Sequence, residues 1–341
     1  MGLVTLSSVS PDLMRRQLIF LFISFSVFWL VSQLPLQTWL NWSNWLWKSL
    51  LVVLVGLLIF GQATRGATAW IDLGFGLRFQ PSQFAALITT FAVLARFVHA
   101  RMLRDQELVE LLLLLGLPVV LIFIQPDFGT VFLYLVTVAP LLIWQKIPKQ
   151  YWQWFLIGSV ALVTVGWLFV LEPYQQQRIT SFIAGSRTDQ SDAGYNARQA
   201  LIAVGAGQLF GRGLGHGTQS QLRFLPERQT DFIFASLAEE WGLIGSIAVI
   251  MLYALLIGFI LHQAGKTTQI RQTLFLIVAA VYFLSQVLVN IGMNLGLLPI
   301  TGITLPLVSY GGSSLLATMM LLAVVQHIVL QVRDPRRERI S

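Results

Sequence analysis

Apolar runs approaching the roughly 20 residues that cross a bilayer as a helix recur along this chain. They fall at about 17–34, 45–60, 80–97, 108–124, 128–144, 152–171, 232–261, 272–290 and 306–330. Backbone inside hydrocarbon must satisfy its own polar groups, so repeated runs of this length dictate a helical bundle. The composition agrees, with 56% hydrophobic and 11% charged residues over 341 positions. The expected fold is an all-α polytopic membrane protein: a single domain over 1–341, a bundle of about nine transmembrane helices, and one large loop at about 172–231.

Charge fixes the expected orientation. Short loops facing the cytoplasm are rich in Lys and Arg. One side carries Arg101, Arg104, Lys146, Lys149, Lys266, Arg271 and the tail Arg333, Arg336, Arg337 and Arg339, against Arg15, Arg16, Arg65 and Arg78 on the other. The C-terminus is thus expected in the cytoplasm, with the N-terminus and the 172–231 loop outside. The net charge of +7 lies in short loops and the tail rather than on one basic face, which argues against nucleic acid. With 0 Cys, disulfides and thiolate metal sites are excluded, and His99, His216, His262 and His327 lack ligand spacing. No small-residue cleavage site follows Arg15 and Arg16 in "FWLVSQLPLQTW", so 17–34 is a helix rather than a signal peptide. Trp39, Trp42, Trp45 and Trp47 are expected as interfacial anchors.

Four spans start at a proline, Pro81, Pro126, Pro226 and Pro306, which suits the first helical turn. Together they direct positive helix ends toward one face, where an anionic headgroup such as a lipid pyrophosphate fits. The large loop sets Arg178, Arg187, Arg198, Arg212, Arg223 and Arg228 against Glu172, Asp189, Asp192, Glu227 and Asp231. That balance suggests local pairing, with some Arg left to hold phosphate. The glycine-dense "AVGAGQLFGRGLGHG" follows no strand, so it is not a dinucleotide-binding turn, and tight turns or close lipid approach both account for it.

Asp231 stands at the threshold of the run that begins at 232. With Thr230 as cap, it would sit in the first turn of the helix, ionised by the dipole. Such a carboxylate can accept a proton from a sugar hydroxyl, hold a divalent ion, or simply stabilise the helix end. Glu239 lies eight residues on, roughly 80° around the helix and two turns deeper in the same cavity. Trp70 can stack on a sugar or anchor at the interface. Asp127 and Glu110 fall near span ends, where solvation accounts for them, and small residues in "VSYGGSS" allow close helix packing.

The segments "GYNARQALIAVGAGQLFGRGLGHGTQSQLRFLPERQTDFIFASLAEEWGLIG" and "NIGMNLGLLPITGITLPLVSYGGSSLL" resemble the SEDS family (shape, elongation, division and sporulation), its RodA branch in particular, and the resemblance extends over nearly the whole chain from about Arg16. It implies a peptidoglycan glycosyltransferase that polymerises lipid II outside the bacterial cytoplasmic membrane, together with a class B penicillin-binding protein. The family's essential Asp falls on Asp231, its outer-loop Trp on Trp70, and its Q-P-S-E-F-x-K motif on Gln80 to Ala86, which includes Ser82. Three positions depart: Gln229 replaces the motif's His, Gln83 its Glu and Ala86 its Lys. The last two are an ion pair in the family, so their joint loss strands no buried charge. The family's first helix has no counterpart, because "RRQLIFLFISFSVFWLVSQL" resembles its second, so either the N-terminus starts outside or the start codon is misplaced.

The expected chemistry is an inverting glycosyl transfer. Asp231 deprotonates or orients the acceptor 4-hydroxyl, directly or through a divalent cation such as Mg or Mn. Arg178, Arg223 and Arg228 offset charge on the leaving pyrophosphate, and Glu239, Trp70, Gln80 and Ser82 line the substrate site. Two rival classes are a lipid flippase, which would need charges deep in several spans, and a non-catalytic scaffold for a partner synthase.

Overall fold

Every expected span coincides with a helix in the computed structural model, which describes residues 1–341 apart from 65–66, 73, 75–77, 99–102, 146, 185–191, 223 and 334–341. The helices are α1 (Gly2–Val9), α2 (Pro11–Ser32), α3 (Leu36–Phe60), α4 (Ala85–Arg96), α5 (Asp105–Ile124), α6 (Phe128–Trp144), α7 (Lys149–Val165), α8 (Pro173–Ala184), α9 (Asp192–Ala206), α10 (Thr218–Gln221), α11 (Ile233–Ala264), α12 (Ile270–Asn294) and α13 (Gly312–Arg333). Among the described residues, α2, α3, α5, α11, α12 and α13 are long and apolar enough to cross a membrane, and α6 is a shorter apolar helix. The large loop is thus substantially helical, through α8, α9 and α10. Of the residues used for orientation and metal ligation, Arg65, His99, Arg101, Lys146, Arg336, Arg337 and Arg339 lie outside the described residues.

Between α3 and α4 the chain forms a small antiparallel sheet, ordered β1 (Gln62–Thr64), β2 (Ala67–Asp72), β3 (Arg78–Phe79). Gln62 pairs with Trp70, and Ile71 with Phe79. Its strands are too short and too interrupted by glycine for a two-residue period to register in the sequence.

The proline expectation holds at one of the four positions. Pro81 opens a 3-10 turn, Pro81–Phe84, that leads into α4. Pro126 precedes the N-cap Asp127 of α6, whereas Pro226 and Pro306 lie in turns ahead of Ile233 and Gly312. Those turns have another task, described below.

Contacts divide the chain into two compact units, each discontinuous in sequence: residues 28–172, 260–282 and 320–341, and residues 1–27, 173–259 and 283–319. In the first, Trp39 stacks on Phe91 at 5.5 Å and 17°, and Phe91 on Phe275 at 5.5 Å and 8°. Trp39 is therefore core rather than an interfacial anchor, and Trp47 donates to the Leu114 carbonyl at 3.1 Å, while Trp42 and Trp45 are exposed. Buried glutamines bond main-chain carbonyls: Gln125 donates to Leu54 O within α3 at 2.9 Å, and Gln145 donates at 2.6 Å to Phe97 O, the C-cap of α4, which hydrocarbon would leave orphaned. In the second unit Ile233, Phe234 and Leu237 pack with Val249, Tyr253, Val287, Ile291 and Leu305.

Candidate active site

Asp231 is placed by a turn, not by a helix. Thr230 does not cap α11; its hydroxyl donates to the Glu227 carboxylate at 3.0 Å, and Asp231 stands two residues ahead of Ile233. The cap comes from another helix: Asn294 of α12 accepts the Ala235 amide at 3.1 Å through Oδ1. Three successive carbonyls of the turn are then clamped. Gln229 O accepts from the Tyr310 amide at 2.9 Å, and Thr230 O from Ser309 Oγ at 2.7 Å. Asp231 O accepts from both Asn290 Nδ2 and Asn294 Nδ2, each at 3.0 Å. Gln17 of α2 braces the clamp, donating to Ser309 O at 3.3 Å and accepting from the Gly311 amide at 3.2 Å.

This clamp explains why α13 starts at Gly312 rather than near 306: Ser309 and Tyr310 are drawn out of any helix to reach 229 and 230. "VSYGGSS" does include a close approach, since a Cβ on Gly312 would lie 2.6 Å from the Phe20 ring. The Asp231 carboxylate lies beside the backbone at Gly302, where φ is 78° and a Cβ would come within 3.8 Å of Oδ2. Asp231 itself is half-buried.

Behind the turn, α11 is broken at Gly242, whose φ is 68°. The glycine-dense segment closes the break. Carbonyls of Gln208 and Leu209 accept from the amides of Leu243 at 2.9 Å and Ile244 at 3.2 Å, and the amides of Arg212 and Gly213 donate to Glu239 O at 2.9 Å and Glu240 O at 3.1 Å. One strip of chain thus bonds two orphaned groups at each of the facing helix ends. Side chains have no room there: a Cβ on Gly242 would sit 2.3 Å from Gly211 N, and one on Gly207 would sit 1.9 Å from Ala238 O. The tight-turn account of these glycines is borne out, with φ of 82° at Gly211, 90° at Gly213 and 77° at Gly215, and the close approach at Gly207 and Gly211 is to protein backbone.

Glu239, expected to share a cavity with Asp231, is fully buried and faces the loop instead. Its carboxylate accepts from the amides of Gln219 at 2.8 Å and Ser220 at 3.0 Å, and from Ser220 Oγ at 2.8 Å, so it caps the short α10. Its neighbour Glu240 binds Ser8 Oγ and accepts from the Gly215 amide at 3.2 Å. Through Ser8, and through Thr5, which accepts from Trp241 Nε1 at 3.2 Å, α1 docks against α11. Arg228 donates to Val9 O at 3.2 Å, and Arg178 is half-buried on α8. Arg187, Asp189 and Arg223 lie outside the described residues.

Trp70, Gln80 and Ser82 belong to the other unit. Trp70 on β2, with Ile71 and Asp72, lines a cavity of about 390 Å³ against Val53, Gly56, Leu57, Phe60 and Gly61. Gln80 donates to Asp127 Oδ2 at 2.7 Å, Ser82 contacts the same oxygen at 3.4 Å, and Gln83 donates to Gln80 Oε1 at 3.0 Å. Gln83 and Gln80 therefore form a neutral relay to a buried carboxyl. Asp127 is not solvated as expected: it caps α6 through the Thr130 amide at 3.2 Å, and burial pushes its carboxyl above the ordinary range against those hydrogen bonds. Glu110 remains near solvent, paired with Arg96 at 2.8 Å.

Asn290, Asn294, Ser309 and Gln17 were not anticipated from sequence. The usable signal was two amides four residues apart inside an apolar span, where a polar residue has to earn its place by bonding. Among the described residues, no group of three or more His, Cys, Asp or Glu could hold a metal ion.

Over residues 4–334 the chain is similar to the family described as cell cycle protein, FtsW/RodA/SpoVE. It is 38% identical over 311 residues to the peptidoglycan glycosyltransferase MrdB of Escherichia coli K12, covering 87% of this chain and 80% of that one. It is 35% identical over 328 residues to the probable peptidoglycan glycosyltransferase FtsW of Coxiella burnetii, covering 94% and 87%. Among solved structures, the rod shape determining protein RodA of Thermus thermophilus matches with a TM-score of 0.72 at 29% identity, over 97% of this chain and 92% of that one. A chain from a structure described as "Structural coordination of polymerization and crosslinking by a peptidoglycan synthase complex" matches with a TM-score of 0.80 at 29% identity, over 98% and 94%.

Proposed function

We propose, from the premise that the chain belongs to the FtsW/RodA/SpoVE family of cell cycle proteins, that it polymerises lipid II into glycan strands with Asp231 as its catalytic carboxylate. It is a multi-pass membrane protein and a peptidoglycan glycosyltransferase. The observation that carries the assignment to Asp231 is the clamp on carbonyls 229 to 231, which fixes the turn while the carboxylate stands beside the side-chain-free backbone of Gly302. Such preorganisation is what a group that must meet a hydroxyl in one geometry needs.

In the proposed step the acceptor 4-hydroxyl oxygen attacks the anomeric carbon of the donor sugar and inverts it. The bond from that carbon to pyrophosphate breaks, polyprenyl pyrophosphate leaves, and the hydroxyl proton passes to Asp231 or, with Asp231 orienting the hydroxyl, to solvent. Arg178 and Arg228 are assigned to the leaving charge. A divalent cation would be held by Asp231 together with substrate phosphates. The reaction is assigned to the outer face of the bacterial cytoplasmic membrane, with the C-terminus inside, and the partner to a class B penicillin-binding protein.

A broken helix is also what a flippase uses, since half-helix N-termini commonly bind anionic cargo in transporters. Here the amides of Leu243 and Ile244 are already taken by Gln208 and Leu209, which withdraws two of that end's donors from any headgroup. The test is polymerisation of lipid II by the purified chain with its partner synthase, wild type against Asp231→Asn. Wild-type polymer reduced at least about a hundredfold in the variant supports the assignment, on the scale of a lost general base. Full turnover in Asp231→Asn sinks it.

A further inference from the structure

Leu209, Phe210 and Leu214 are 58%, 78% and 46% exposed in a stretch that sequence alone assigned to an outer loop. Part of the backbone of this stretch is spent on protein: carbonyls of 208 and 209 and amides of 212 and 213 bond to the two ends of the broken helix, and the Gly211 amide donates to Gly207 O at 2.8 Å, while among the described residues the amides of 209, 210 and 214 and the carbonyls of 210 to 212 are left open. The groups left open need water or headgroups, which keeps this backbone at the interface while its apolar side chains can reach the hydrocarbon.

The same bonds fix its neighbours. Leu209 is hydrogen-bonded to the start of residues 243–264, a stretch about 33 Å long that can span the roughly 30 Å hydrocarbon layer without the rest of α11. At that start Leu243, Ile244 and Ile247 are 49%, 56% and 46% exposed. On a spanning helix such side chains face acyl chains, and the bond from the Ile244 amide to Leu209 O sets the exposed Leu209 and Phe210 beside the start of that helix. We infer that residues 207–214 are seated in the bilayer at the boundary between headgroups and acyl chains, with Leu209, Phe210 and Leu214 inserted into the hydrocarbon of that leaflet. Arg212 is exposed, and its Nε donates to Ala206 O at 3.1 Å; its long stem lets the guanidinium reach the headgroups. The occupant of this face is lipid, not a partner's helix.

The chain has 0 Cys, so Leu209→Cys, Phe210→Cys, Leu214→Cys and Ile247→Cys each provide a single thiol for a nitroxide label. The purified chain, without any partner, is placed in lipid nanodiscs, and collisions of the label with dissolved oxygen and with a water-soluble nickel chelate are compared. At 209, 210 and 214 the oxygen-to-nickel ratio should exceed that of a label free in water several-fold and approach the value at 247. A free-water ratio at any of the three overturns the inference in favour of an aqueous loop. Exclusion of both reagents overturns it in favour of a protein-covered surface.

Discussion

Asn290 and Asn294 are fully buried, and each spends an amide hydrogen on the carbonyl of Asp231. Removing Asn294 also strips the cap from Ala235, so Asn294→Ala should cost about 1–3 kcal/mol of stability, the scale of a buried group left unsatisfied. Thermal melting in detergent measures that loss. If the clamp positions Asp231, Asn290→Ala should lower kcat for lipid II polymerisation with KM little changed; an unchanged kcat in folded protein would show that the clamp only supports the fold. Asp127 carries a pH prediction. Burial holds its folded carboxyl above 3.8, so the folded chain keeps a proton that the unfolded chain releases, and stability falls as pH rises from 3.8 through the raised value. The melting temperature of Asp127→Asn relative to wild type should climb across that window, and a pH-independent difference would refute the account. A carboxylate at the start of an apolar run is conspicuous, but pattern alone leaves Asp231 as readily a helix-end charge, and its proposed role comes from the resemblance. Its supports were hidden because they act on main-chain atoms from residues 59 to 79 positions away, and no local spacing records that.

The position of the elements followed from apolar runs alone, but their internal breaks did not. Gly242 in "EEWGLIG" looks like an ordinary helical glycine, and only the approach of Gly211 and Leu209 shows why it is there. Gly242→Ala puts a Cβ 2.3 Å from Gly211 N at a φ of 68° and should cost about 2–6 kcal/mol, from left-handed strain together with overpacking. Gly258, further along α11, has nothing within 4 Å of its would-be Cβ, and Gly258→Ala should gain about 0.5–1 kcal/mol. Melting temperatures of the two variants should therefore move in opposite directions. The proline pattern misled for the same reason as Gly242: Pro226 and Pro306 open the turns that meet at Asp231, and a sequence shows that a helix is delayed without showing what the delay is for.

At the scale of the whole molecule, the two compact units divide the expected site residues, with Asp231, Glu239, Arg178 and Arg228 in one and Trp70, Gln80 and Ser82 in the other. The proposed orientation is open to direct test in a chain without cysteine. A thiol at the exposed Gln177 on α8 should react with a membrane-impermeant maleimide in spheroplasts, and one at the exposed Thr268, between α11 and α12, should react only after permeabilisation; the reverse pattern would invert the assignment. The strip at 207–213 that closes the broken helix also precedes residues 243–264 in the chain. During synthesis it is made first, so its bonds to the two helix ends can form only once the later helix has followed. Docking then closes both sets of bonds together, so the half-helix has a ready-made seat on arrival, and the order of translation becomes an order of assembly.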